Sequence, residues 1–492
     1  MKRLLKQPGR LMGLLFTGMS CMLAVPQAQA EHDIRGITQA NPTGQFNLYA
    51  FPFNMNLPEG TSLYMWGFGD MNSGDGRTHQ MQGGGYALPQ YPAPTLIVQE
   101  GEPVVINMTN YGVPSPVSIV VTGHNVTPTC VVSVMNTDTN QDNCDGLITM
   151  EAEVNETVSY SFTAGSPGTY IYHSIGGDNP ALHTEMGLLG VMIVRPADGS
   201  RTAYGENTGT DYDQENLYLM TEIDPDIHLQ MEKGHYQHFT NSDRHAKIWF
   251  INGRVFPDLF QGDFNSLFPN QPYESLVLAH PGDKVLVRNV NAGHDSHPMH
   301  YHGENLRFIG RDGKMLSSNG TDADLGRSDN TINSAPKQTV DALWTWTGKD
   351  LNWDAYGPIN TSCTDSNHDM ADDFTGALCN DQNCIDLENN RTGALGPDGF
   401  DDHNFQYCPD HGKELPVTLP GVGDLTLGGW WSGSPFLGDT GDLPVGEGGL
   451  NPFGGYFLVW HSHAEKELTT FDIFPGGSLG SVVIVPPSAP ID

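Results

Sequence analysis

The sequence at residues 280–290 runs His280-Pro281-Gly282-Asp283-Lys284-Val285-Leu286-Val287-Arg288-Asn289-Val290, a turn with glycine and aspartate that leads into an apolar run. Residues 94–107 repeat this pattern, with Gly101-Glu102 ahead of a second apolar run. The segments 168–174 and 455–462 are also alike, and each precedes a further apolar stretch, at 190–194 and 480–485. Such short runs after turns are typical of strands, so the repeat predicts two copies of one β-sandwich.

The rest of the chain favours the same class. Strand-like runs separated by Gly, Pro, Asn and Asp recur throughout, and almost no long segment has helical periodicity. We therefore predict an all-β protein with a first domain at 31–200 and a second at 210–492. The second domain carries a long insertion at about 349–452 that is rich in Gly, Asp and Asn.

The N-terminal thirty residues have the pattern of a secretory signal peptide. Four basic residues precede an apolar run from Leu11 to Val25, which is followed by Ala28-Gln29-Ala30. We expect cleavage after Ala30 and a periplasmic or extracellular location. The net charge of −35 would become about −39 without this segment, which argues against nucleic acid or an anionic membrane as partner.

Six cysteines remain after the predicted cleavage, and an even number in an exported protein suggests disulfides. Cys130 and Cys144 are expected to close one loop. Cys363, Cys379, Cys384 and Cys408 lie in the insertion, and two bridges of open connectivity are expected there. The acidic runs 369–373 and 398–402 in the same insertion could bind calcium, but their spacing matches no calcium loop well, and a surface loop held by disulfides is the preferred interpretation.

Two histidine clusters follow strand-like runs. The first is His297-Pro298-Met299-His300-Tyr301-His302-Gly303, and the second is His461-Ser462-His463. Residues two apart on a strand project to the same face, so His300 and His302 can reach one metal centre while His297 serves another position nearby. Imidazole suits copper, zinc, iron and nickel. We interpret the two clusters as parts of one metal site rather than as a chance grouping.

These residues resemble motifs of the multicopper oxidase and copper nitrite reductase superfamily, which is built from cupredoxin domains. His297 to Gly303 matches the superfamily's His-Pro-x-His-x-His-Gly motif, and Tyr172-His173-Ser174 and His461-Ser462-His463 are similar to the motifs that complete its copper sites. The resemblance implies two cupredoxin-like, Greek-key β-sandwiches. It also implies the two-domain branch, whose members are typically homotrimers with copper between subunits.

By the same resemblance, His300 would bind the type 2 copper and His297 the type 1 copper that receives electrons. The type 3 pair would be held by His302, His461, His173 and His463. Several family positions differ, however, because Val120, Thr122 and Ile175 stand where the motifs have histidine, and Glu467 stands at the later type 1 histidine.

The type 1 thiolate is also missing from both places where the superfamily carries it. In the second half its position is Ser462. In the first half, His124, His173-Ser174, His183 and Met186 resemble the nitrite reductase arrangement, but the cysteine position is Ser174. A blue-copper centre needs the copper–thiolate bond, so none is expected. We predict that metal still binds, through His124, His173, His183, His297, His300, His302, His461 and His463.

The resulting hypothesis is an exported copper oxidoreductase that acts on a small-molecule or metal-ion substrate, with oxygen as the acceptor implied by the resemblance. The alternative is a non-catalytic copper-binding protein for storage, resistance or delivery. A metal-free scaffold is disfavoured by the surviving histidines. Serine hydrolysis is disfavoured because adjacent residues of a strand, such as His173 and Ser174, point to opposite faces.

Overall fold

The computed structural model describes the two strand-rich halves of the chain. The described residues are 33–40, 44–72, 79–81, 84–86, 88–131, 144–236, 241–280, 282–346, 456–485 and 491, together with four two-residue strands between 400 and 451. The predicted signal peptide and most of the predicted insertion, including its four cysteines and the proposed calcium runs apart from residues 400–401, lie outside these residues. No helix in the described ranges is long and apolar enough to cross a membrane.

The first half forms two sheets. Its strands are β1 (Phe46–Asn56), β2 (Ser62–Asp70), β3 (His79–Met81), β4 (Gly84–Tyr86), β5 (Leu96–Gln99), β6 (Pro103–Asn110), β7 (Val120–Val121), β8 (Thr127–Val131), β9 (Thr157–Thr163), β10 (Gly168–His173) and β11 (Leu189–Arg195), with helix α1 (Pro180–Met186). One sheet has the order β2-β1-β6-β9-β8 and the other the order β5-β11-β10-β7, while β3 and β4 pair only with each other.

The second half also forms two main sheets. Its strands are β12 (Gln214–Ile223), β13 (Ile248–Ile251), β14 (Leu276–Ala279), β15 (Val285–Asn291), β16 (His297–Tyr301), β17 (Leu306–Arg311), β18 (Lys314–Met315), β19 (Arg327–Asp329), β20 (Thr331–Ser334), β21 (Thr339–Trp344), β22 (Phe400–Asp401), β23 (Gln406–Tyr407), β24 (Gly441–Asp442), β25 (Leu450–Asn451), β26 (Tyr456–Ser462) and β27 (Leu479–Ile484), with helix α2 (Pro225–Glu232). The main sheets run β13-β12-β15-β21-β17-β18, with β19 beside β17, and β14-β27-β26-β16-β20.

Each half buries an apolar core, as the alternating patterns of its strands require. One core contains Phe46, Ile106 and Val158 of the first half, and another contains Val287, Tyr301 and Trp460 of the second. A third apolar cluster joins the halves, because Leu189, Val191 and Ile193 of β11 pack with residues of β12 and β13. The prediction of an all-β fold with two β-sandwiches is confirmed.

The predicted pair Cys130 and Cys144 forms a disulfide, with the two Cα atoms 5.7 Å apart. It ties β8 to a residue that precedes β9 in the chain. The main sheets divide between Arg195 and Gln214, while the domain limits at 31–200 and 210–492 stay predictions.

Candidate metal centre

The histidines of the second half lie on two neighbouring strands. β16 and β26 are antiparallel, with His300 opposite His461 and Tyr301 opposite Trp460. Because side chains alternate along a strand, Tyr301 and Trp460 enter the sandwich core, where their ring centroids are 4.9 Å apart. The same alternation turns His300, His302 and His461 to the other face of the sheet.

Four imidazoles meet on that face: His300, His302, His461 and His463, which we call the His cluster. The ring centroid of His300 lies 4.8 Å from that of His302, 5.5 Å from that of His461 and 4.6 Å from that of His463. The Nε2 atoms of His302 and His461 are 3.1 Å apart. His300 is buried, His302 and His461 are half-buried, and His463 is exposed, so the cluster opens towards solvent on one side.

Hydrogen bonds fix the tautomer of two of these rings. Nδ1 of His461 donates to the carbonyl of Ser462 at 2.9 Å, and a carbonyl only accepts, so Nε2 keeps its lone pair. Nδ1 of His300 lies 2.8 Å from Oγ1 of Thr331. That hydroxyl donates its own proton to Asn330, so it accepts from His300. Nε2 of His300 is then left buried without a hydrogen-bond partner.

The electrostatics keep the rings of His300 and His461 neutral. Burial, together with the neighbouring imidazoles of His302, His463 and His461, lowers the pKa of His300 to about 3. Burial also lowers the pKa of His461. Neutral imidazole is the form that binds a metal, and a ring whose other nitrogen donates a hydrogen bond is held in one orientation. A buried, unpartnered Nε2 of His300, beside the neutral imidazole of His461, therefore fits a copper ion.

In the described part of the chain, no three His, Cys, Asp or Glu side chains already converge on one metal position. The rings of the His cluster instead pack edge to face, with interplanar angles of 63–80° for the pairs that His302 makes with His300 and His461. Small rotations of these side chains are needed to direct their nitrogens to one ion.

His297 lies in a different environment. It stands at an odd position of β16, with Met299 and Tyr301, and so on the opposite face from His300. Its Nε2 is 2.8 Å from the carboxylate of Glu222, and its Nδ1 is 2.9 Å from that of Glu467. These hydrogen bonds and charges outweigh burial and raise the pKa of His297 to about 9. As an imidazolium, it has no lone pair for a metal.

The carboxylates around His297 extend into a larger buried network. Arg244 donates to Glu222 at 2.8 Å and to Glu185 of α1 at 2.6 Å. Burial raises the pKa of Glu222, but His297 and Arg244 outweigh it and lower that pKa to about 2. The network therefore holds β12, β16 and α1 together through fully ionised partners.

Ser174 and His183 form a closed hydrogen-bonded group in the first half. Oγ of Ser174 lies 2.7 Å from Nδ1 of His183, and Oγ of Ser115 lies 2.9 Å from its Nε2. Burial lowers the pKa of His183 to about 3. Both nitrogens of His183 thus already have hydroxyl partners.

His124 and His173 lie apart from the His cluster in the contacts of the described residues. Nδ1 of His124 donates to the carbonyl of Thr122 at 3.0 Å, and its Nε2 accepts from the amide of Gly165 at 3.0 Å. Nδ1 of His173 donates to the carbonyl of Ser174 at 3.3 Å, and burial and Lys337 lower the pKa of His173 to about 3. His173 stands opposite Val120, one of the positions where the motif would have histidine.

Three residues of these sites were not singled out from the sequence: Glu222, Arg244 and Thr331. Each is distant in sequence from the histidine or carboxylate that it contacts, and none belongs to a recognisable motif. Glu467 did carry a signal, since it stands at a position where a ligand histidine was expected.

Comparison with known proteins bears on the first half of the chain. Residues 85–199 match the family model described as multicopper oxidase. This segment of the chain is therefore similar to a multicopper oxidase domain.

A solved blue copper oxidase and a solved copper nitrite reductase are similar to this chain, at low identity. The blue copper oxidase from Nitrosomonas europaea is 15% identical, with 89% of this chain and 85% of that chain covered and a TM-score of 0.49. The copper nitrite reductase from Nitrosomonas europaea is 18% identical, with 61% and 84% covered and a TM-score of 0.41. No curated protein matches the sequence significantly.

The residues at the positions that the motif resemblance assigns to type 1 copper have other partners here. Ser462 accepts a hydrogen bond from the amide of Ala464 at 3.2 Å, and Glu467 binds His297 instead of leaving it to a metal. Of the positions that the resemblance assigns to the other coppers, four form the His cluster, whereas Val120, Thr122 and Ile175 are not histidine.

Proposed function

We propose that this protein is a copper-dependent oxidoreductase that binds copper through the His cluster and has no type 1 thiolate centre. The observation that carries the proposal is the meeting of four imidazoles, with Nε2 of His300 buried and without a partner. Nitrogen donors of this kind suit copper. The proposed copper site contains four histidines rather than the eight predicted from the sequence.

The four histidines and the residues around them would have different roles at such a site. His300 and His461 offer Nε2, because their Nδ1 atoms are held by Thr331 and by the carbonyl of Ser462. His302 and His463 lie at the open side, where a small substrate can approach. Copper bound there would supply one-electron redox chemistry. Tyr301 and Trp460 pack beneath the strands and keep their register.

Two features support the absence of a type 1 centre. Serine hydroxyls replace the thiolate at Ser174 and Ser462, and a hydroxyl does not form the bond that defines blue copper. The nitrogens of His297 and His183 are bound by carboxylates and hydroxyls. Electrons would therefore enter at the His cluster itself, directly from the substrate.

The substrate class and the assembly are part of the proposal. A reduced metal ion or a small phenol is the donor we favour, because the net charge of −35 attracts cations and the cluster is open to solvent. Oxygen as acceptor, a homotrimeric assembly and export follow from the superfamily resemblance and from the N-terminal sequence pattern. A non-catalytic copper-binding role is the competing proposal, favoured by the replaced thiolate positions.

Copper stoichiometry and paramagnetic resonance test this function. The wild type is compared with a His300→Ala, His302→Ala double variant and with His245→Ala, a matched control at an exposed histidine outside the cluster. We expect copper in the wild type and the control, and its loss in the double variant, with oxygen uptake in the presence of a donor. Copper without any oxygen uptake would favour the binding role. Copper retained by the double variant, or no copper in the wild type, would refute the proposed site.

A further inference from the structure

We propose that Thr331 is a positioning residue of the His cluster, whose hydroxyl fixes the His300 ring with Nε2 turned towards the other imidazoles. This inference rests on the proposed function, since it concerns the same site. It assigns a role to a residue that matches no copper motif and that would not itself contact the metal.

The first support is the way that the strands place Thr331. β20 is antiparallel to β16, and Thr331 stands directly opposite His300. Directly opposite residues on neighbouring strands have Cβ atoms about 5 Å apart, so the short threonine side chain can reach a ring nitrogen but no farther. The observed distance from Oγ1 to Nδ1 is 2.8 Å.

The second support is the direction of the hydrogen bond. A threonine hydroxyl has one proton and can donate only once. Here that proton goes to Oδ1 of Asn330 at 3.0 Å. Oγ1 must therefore accept from Nδ1 of His300. This arrangement favours the Nδ1–H tautomer.

The third support is that the backbone beside Thr331, the acceptor of the His300 hydrogen bond, is held in place. The carbonyl of Asn330 accepts from the amide of Tyr301 at 2.9 Å, which joins the start of β20 to β16 at the histidine pair. Thr331 is thus anchored on both sides and cannot easily turn away from His300. His300 is 2% exposed, so loss of the hydroxyl would leave its Nδ1 without this partner at a cost in free energy.

The functional consequence follows from what a metal needs. A ligand imidazole must present the nitrogen that has the lone pair, and a fixed acceptor at the other nitrogen removes the cost of selecting that tautomer and orientation. Loss of such a partner typically lowers metal affinity about 10- to 100-fold. Thr331 would therefore affect copper affinity without being a ligand.

The test compares three variants. Thr331→Val keeps the shape but removes the hydroxyl, and Thr331→Ser keeps the hydroxyl. Thr129→Val makes the same chemical change at an exposed position of β8 in the first half. Each protein is studied metal-free by nitrogen-15 resonance of the histidine side chains, and with cupric ion by competition against a chelator.

The metal-free spectra test the tautomer without any copper. We expect His300 of the wild type, Thr331→Ser and Thr129→Val to show the Nδ1–H tautomer. In Thr331→Val, we expect a detectable share of the Nε2–H tautomer or a broadened Nδ1–H signal. A wild-type His300 in the Nε2–H tautomer would overturn the inference, and this result needs no variant to fold.

The copper titration tests whether Thr331 affects copper affinity. We expect Thr331→Val to bind cupric ion about 10-fold or more weakly than the wild type, and Thr331→Ser and Thr129→Val to bind it as the wild type does. Equal affinity in Thr331→Val and the wild type would refute the positioning role. If the wild type bound no copper at all, the proposed function would fail, while the spectra of the metal-free protein would still decide the role of Thr331.

Discussion

Replacing His297 with Gln should remove a pH-dependent part of the stability and leave copper binding unchanged. His297 is 1% exposed and lies between the carboxylates of Glu222 and Glu467, which raise its pKa from 6.5 to about 9. A rise of that size corresponds to about 3 kcal/mol of folding free energy.

The sign follows from which protonation state is favoured. A pKa raised on folding stabilises the protein fully below the unfolded value, and this contribution is lost as pH rises through the folded value. The free energy of unfolding of the wild type should therefore fall by about 3 kcal/mol between pH 6.5 and pH 9 because of His297. Glu222, whose folded pKa is lowered to about 2, sets the acidic limit, since its contribution is present above 4.5 and is lost towards pH 2.

Glutamine cannot carry the positive charge, so the free energy of unfolding of the variant should not fall in this way between pH 6.5 and pH 9. At pH 6 we expect it to be less stable than the wild type by about 3–5 kcal/mol, the usual cost of removing one partner of a buried ion pair. Urea unfolding at several pH values between 5 and 9.5 measures both effects. Copper analysis on the same samples should show no loss of metal.

The reasoning would be refuted in two separate ways. An unchanged decline of stability between pH 6.5 and 9 in the variant would mean that His297 is not the titrating group. A loss of copper in the variant would mean that His297 is a ligand, as the motif resemblance alone implies.

Three further predictions concern the metal and the disulfide. The copper-loaded protein should lack the intense visible absorption of a copper–thiolate bond, and a strong band of that kind would contradict our interpretation of Ser462. His461→Ala should lower copper binding, whereas Lys466→Ala, an exposed neighbouring change, should not; elemental analysis distinguishes them. Replacing Cys130 and Cys144 with Ala should lower the free energy of unfolding by about 3 kcal/mol, because the bridge closes a loop with a sequence separation of 14. Urea unfolding with and without reductant measures this effect. Equal stability of the wild type under both conditions would mean that the bridge does not form.

Much of the fold follows from local patterns. Alternating apolar residues after Gly-acidic turns predict strands, and their repetition in both halves predicts two sandwiches, which the structure confirms. The sequence also predicted that His300 and His302 lie near His461, because each histidine cluster follows an apolar, strand-like run. The eight-histidine metal set is untested, and the geometry favours the four that share one face.

The partners of the other histidines could not be predicted in the same way. Glu222 is 75 residues from His297, and Thr331 is 31 residues from His300, so neither pair leaves a local pattern in the sequence. His297 itself offered a partial signal, since its odd position on the strand separates it from His300.

The sequence by itself determined the strands, the duplication and which imidazoles of a single strand share a face, because strand periodicity and motif spacing are properties of neighbouring residues. Only the tertiary structure decided which nitrogens remain available to a metal. Availability depends on the acceptors and charges that folding brings from distant segments, as with the carboxylates on His297, the hydroxyls on His183 and the hydroxyl that leaves Nε2 of His300 unpartnered.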